Sequence, residues 1–140
     1  MKRQFQLLCF ICVSISASAQ SEKQSSSLSI PKHASIIYVK NVSFDSVVNE
    51  LKKENFKIDN FVKNNIIVTK YKVLPGSLKH IALHIRYYDR TAEIMGTIFE
   101  YSSASGRMDP VITYSSFSKK AFEIMNDFAA ALNGEISYEE

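Results

Sequence analysis

From Lys79 to Tyr88 the chain alternates. Ile81, Leu83 and Ile85 stand between His80, Ala82, His84 and Arg86, the two-residue period of a strand with one covered and one open face. The run Ile66–Val73 before it and Glu93–Tyr101 after it are rich in β-branched and aromatic residues and read as neighbouring strands. Leu74-Pro75-Gly76-Ser77 suits a type II turn between the first two. Asp89-Arg90 makes a two-residue turn between the last two. That turn fixes a register in which Arg86 faces Glu93, Ile85 faces Ile94, His84 faces Met95, Ala82 faces Thr97, Ile81 faces Ile98 and His80 faces Phe99. A slip by one residue would separate the opposite charges and carry the isoleucines to the wrong side.

A helical period appears twice. Phe44, Val47, Val48 and Leu51 recur at i, i+3, i+4 and i+7, behind Ser43 as an N-cap and Asp45 in the first turn. Phe117, Ala121, Ile124, Phe128, Ala131 and Leu132 form a second stripe. Ser118 is its expected cap, Phe117 and Phe122 an expected staple, and Asn133-Gly134 its stop. Ser35–Lys40 reads as a first strand, Phe56–Val62 as a second, and Lys63-Asn64-Asn65 as the turn into the third. Val111–Tyr114 and Ile136–Tyr138 are short runs compatible with further strands.

The predicted fold class is α+β: an antiparallel sheet of five to six strands with two helices on one face, in the order β-α-β-β-β-β-α. The helices are expected to cover Ile66, Val68, Ile81, Leu83, Ile85, Ile94 and Ile98. The opposite face then gathers Tyr71, His80, His84, Arg86, Tyr88, Glu93, Met95, Phe99 and Tyr101. Tyrosine and arginine are favoured where proteins recognise partners, so this face is the candidate binding surface.

The N-terminus changes the compartment. Met1-Lys2-Arg3, the apolar stretch Phe5–Ile15 and Ala17-Ser18-Ala19 follow the order of a secretory signal. The apolar stretch is shorter than the roughly 20 residues a spanning helix needs. Residues 1–19 are therefore expected to be removed and the chain to be exported, periplasmic or secreted. Residues 20–33 are polar and serine-rich and read as a flexible leader, and 34–138 as one α+β domain.

Cleavage removes both cysteines, Cys9 and Cys12, leaving no disulfide and no thiol chemistry. It also removes Lys2 and Arg3, so 17 basic residues fall to 15 against 14 acidic ones and the net charge drops from +3 to +1. That balance carries no broad electrostatic case for nucleic acid.

The arrangement of "Ile-Ile-Tyr-Val" strand, capped helix, Asn-Asn-Ile-Ile-Val strand, meander and long last helix resembles the TATA-binding-protein-like fold. It is similar to the small exported bacterial domains of unknown function that share this fold. The resemblance spans about Ala34 to Leu132 and implies a fold and a compartment. It implies no activity. DNA binding would need a basic, wedge-bearing face and two such repeats, and the chain has one.

Candidate chemistry is sparse. On a strand, His80 and His84 are separated by about 13 Å, too far to share an ion; no metal or cofactor is expected. No serine sits in a Gly-x-Ser-x-Gly elbow, and four glycines supply no phosphate loop. Glu139-Glu140 reads as a solvated pair. The sequence therefore predicts a non-catalytic binding module for an envelope or extracellular protein, glycan or small ligand. The alternatives are a structural protein that homodimerises through the same face and an inhibitor of exported hydrolases.

Overall fold

A computed structural model of the chain describes residues 29–62, 65–100, 110–115 and 117–140. The expected signal, most of the leader, Asn64 and Tyr101 lie outside the described residues. Nine elements follow one another: β1 (Ile36–Lys40), α1 (Phe44–Lys53), β2 (Ile58–Val62), β3 (Ile66–Thr69), β4 (Lys72–Val73), β5 (Lys79–Tyr88), β6 (Thr91–Glu100), α2 (Lys119–Ala131) and β7 (Glu135–Glu139). The strands form one antiparallel seven-stranded sheet in the order β2-β3-β5-β6-β1-β7, with β4 also on β5.

The β5–β6 hairpin is its axis. Asp89 and Arg90 both take positive φ, 43° and 58°, the backbone of a type I′ turn whose twist matches that of the strands it joins. The pairing runs unbroken from Tyr88↔Thr91 to Lys79↔Glu100 and includes Arg86↔Glu93, the register expected from the turn. Ile81, Leu83, Ile85, Ile94 and Ile98 are buried on one side of it.

The next strand inward differs from expectation. Ile67, fully buried, stands opposite Ile85, while Ile66 and Val68 stand opposite Arg86 and His84 on the other face. Ile66-Ile67-Val68 is apolar at every position, so its pattern has no phase of its own. Residues 69–71 then oppose two residues of β5, because Val68 pairs with His84 and Lys72 with Ile81. This extra residue is a β-bulge. It splits the expected single strand into β3 and β4. Thr69 keeps the inward phase of Ile67, and the bulge then reverses it so that Tyr71 points outward. The buried Thr69 hydroxyl accepts the Leu83 N–H at 2.9 Å, supplying the acceptor that the interrupted ladder lacks.

Both helices bury their stripes in the same core as the inward strand residues. Ser43 caps α1 as expected, its Oγ accepting the Ser46 N–H at 3.1 Å. Asn55 ends it with φ 60°, and Phe56 N–H donates to the Leu51 carbonyl at 2.8 Å, a left-handed C-terminal stop.

The α2 stripe is rotated from the expected one. Ala121, Phe122, Met125, Phe128 and Ala129 are buried, whereas Ile124 and Ala131 are half-buried and Phe117 is 59% exposed. Helix α2 begins at Lys119, past Phe117, so the staple does not form. Tyr114 packs on Phe122 instead, with ring centroids 5.4 Å apart. Ser118 makes no side-chain cap bond. Its hydroxyl donates to the Thr113 carbonyl at 2.6 Å and accepts the Thr113 N–H at 3.1 Å.

Two segments extend the sheet. Residues 135–139 form the full edge strand β7, paired along the whole of β1. Of Val111–Tyr114, only the bridge Thr97↔Val111 is strand-like. Ile112 N–H donates to the Gly96 carbonyl at 2.9 Å and Ile98 N–H to the Pro110 carbonyl at 3.0 Å. The segment thus covers the part of the β6 edge that β1 does not reach. Among the described residues no helix is long and apolar enough to cross a membrane.

Two glycines are places where other groups come too close for a side chain. A Cβ at Gly96 would lie 2.7 Å from the Ile112 Cδ1 and the Met125 Sδ, both ends of side chains. A Cβ at Gly134 would meet the Lys40 carbonyl, which is backbone. Gly134→Ala should therefore cost about 3 kcal/mol and Gly96→Ala about 1–2 kcal/mol. Urea unfolding of the two variants checks the order, and a larger loss for Gly96→Ala would contradict it.

Candidate binding face

The face away from the helices is laid out by the β5–β6 register. Its cross-strand pairs are His80↔Phe99, Ala82↔Thr97, His84↔Met95, Arg86↔Glu93 and Tyr88↔Thr91. The β3 strand adds Ile66 and Val68, and the bulge adds Tyr71. All the candidate residues except Tyr101, which is outside the described residues, therefore share one face.

Two groups occupy this face. At one end Tyr71, His80 and Phe99 pack together. The Phe99 ring lies 5.8 Å from Tyr71 and 5.9 Å from His80, centroid to centroid, and the Tyr71 hydroxyl is 3.4 Å from the Thr97 Oγ1. The His80 Nδ1 is buried without a hydrogen-bond partner among the described residues. His84, opposite Met95 and Val68, has a largely apolar flank.

Toward the turn the face is charged. Arg86 Nη1 lies 3.4 Å from Glu93 Oε1, with the arginine side chain 53% exposed and the glutamate 8%. A carboxylate so withdrawn from water depends on its cation. Strand β1 places Tyr38 opposite Glu93 on the same face. The Tyr38 hydroxyl donates to Glu139 Oε2 of β7 at 2.6 Å. That bond, with burial and the negative charges of Glu139 and Glu93, pushes the Tyr38 pKa up to about 12. Glu139 is therefore engaged at the sheet edge and is not merely a solvated terminal group.

Tyr38 and Glu139 were not legible as site residues. Tyr38 carried a signal, since it alternates with the buried Ile37 and Val39, but the sequence did not show which strand lies beside β1. No group of three or more His, Cys, Asp or Glu among the described residues is placed to hold a metal ion. The arrangement offers aromatic rings, imidazole side chains, phenol hydroxyls and one guanidinium. These groups suit recognition of a partly apolar, hydrogen-bonding surface. No family model, curated protein or solved structure matches the chain.

Two outcomes follow from the charged end. A double-mutant cycle on Arg86→Ala and Glu93→Gln should return a coupling of about 1 kcal/mol, below the fully buried range because Arg86 is half exposed; additive variants would contradict it. The folded Tyr38 pKa is raised from 10.0 to about 12, so its stabilising contribution is complete below pH 10.0 and is lost as pH rises toward 12. Ultraviolet tyrosinate titration, with Tyr38→Phe as the difference reference, should show its midpoint falling toward 10.0 in Glu139→Gln.

Proposed function

We propose that the chain is an exported, non-catalytic binding module that recognises an envelope or extracellular protein, glycan or small ligand through the sheet face opposite its helices. The observation that carries this reading is the continuous row from Tyr71, Phe99 and His80 to Arg86, Glu93 and Tyr88 on a face that neither helix covers. The aromatic end supplies contact area and the charged end supplies orientation. The same reading takes the fold as TATA-binding-protein-like. The passage β1-α1-β2-β3-β5-β6-α2, with β1 lying beside β6, supports it, and β7 is an addition to that pattern.

Homodimerisation through this face is a second reading, favoured by the presence of Ile66, Val68 and Met95 among its polar groups. Alanine substitutions at His84 and Tyr88, which leave the Arg86–Glu93 pair intact, should abolish capture of an envelope or extracellular partner with the thermal transition preserved. Retained capture would remove the face from consideration. Light scattering over micromolar concentrations separates the readings, since a strict monomer rules out the dimer.

A further inference from the structure

A different surface lies where the β4–β5 turn meets the start of α2. Leu78, in that turn, is 75% exposed, and Phe117, just before the helix, is 59% exposed. Two lysines tie the two segments together and a third flanks them. The Lys120 ammonium donates to the Pro75 carbonyl at 2.6 Å. The Lys79 ammonium donates to the Phe117 carbonyl at 3.3 Å and sits 4.0 Å from the centroid of the Phe117 ring. The Lys119 ammonium is 5.7 Å from the Tyr114 ring centroid.

None of the three lysines forms an ion pair among the described residues. Helix α2 has no acidic residue in its first turn. Glu100 faces Lys79 across the hairpin and Glu123 lies further along α2, so three amines stand against two carboxylates that do not contact them.

An exposed leucine and phenylalanine bordered by three amines, two of them against aromatic rings, have the chemistry of an interfacial anchor. The apolar pair enters the headgroup boundary and the ammonium groups meet lipid phosphates. A protein partner of ordinary interface size needs about 800 Å² from each side, more than the two exposed apolar side chains Leu78 and Phe117 supply. We propose that this tip docks the domain on a bilayer surface carrying anionic lipid, leaving the sheet face free to act.

The chain contains no tryptophan, so Leu78→Trp places a single reporter at the tip, and Phe117→Trp serves if the first variant fails to fold. With vesicles of phosphatidylcholine and phosphatidylglycerol, its emission should shift to the blue and be quenched by brominated acyl chains. With phosphatidylcholine alone it should not move. Replacing Lys79, Lys119 and Lys120 by Gln in the reporter background should weaken partitioning about fivefold for each lysine, with the melting transition retained as control. No shift on anionic vesicles, or an equal shift on neutral ones, would overturn the proposal. A shift produced by polyglutamate and not by vesicles would overturn it in favour of an acidic protein partner.

Discussion

The pairing of β5 with β6 is the constraint on which the rest of the sheet depends. It is the longest ladder in the structure, closed by a turn whose two central residues both adopt positive φ. Every other strand reaches the sheet through it. On one side β3 and β4 attach to β5, and on the other β1 and residues 110–112 share the edge of β6. A slip in this ladder would move the buried isoleucines to the open face and separate Arg86 from Glu93.

The two faces are then completed by different physics. The inner face closes by packing. Gly96 leaves room for Ile112 and Met125 to meet over the centre of the sheet, and Phe56 from the end of α1 meets Phe128 of α2 with ring centroids 6.4 Å apart. The outer face is held by polar pairing at one end and ring contacts at the other. Glu93 is tolerated nearly out of water because Arg86 is beside it, and Tyr38 joins the neighbouring edge strand through Glu139. A face built this way sets donors, acceptors and aromatic rings side by side, with Arg86 and Tyr88 exposed.

Legibility followed the strength of local pattern. The hairpin register was readable because a two-residue turn and a clear alternation agree about it. Helix α1 was readable because Ser43, Asp45 and a regular stripe agree about its start and face. Where the pattern lost its period, the reading failed. Ile66-Ile67-Val68 gave no phase, and the bulge that follows depends on a hydroxyl reaching Leu83 across the sheet. Phe117 fits the α2 stripe by spacing, yet the helix starts two residues later and Tyr114 takes the place against Phe122. On the candidate face, the residues of β5 and β6 followed directly from the register, whereas Tyr38 and Glu139 required knowing that β1 lies between β6 and β7.

The sequence by itself therefore determined the class of fold, both helices, the central hairpin and the residues of that hairpin that share the face away from the helices. These depend on neighbours in the chain, through turn dihedrals, capping and periodicity. Only the tertiary structure decided the phase of β3, the bulge before β4, the rotation of α2, the full length of β7 and the link from Glu93 through Tyr38 to Glu139. Each of these is settled by which distant segment supplies a hydrogen bond or fills a space, and local pattern carries no record of that choice.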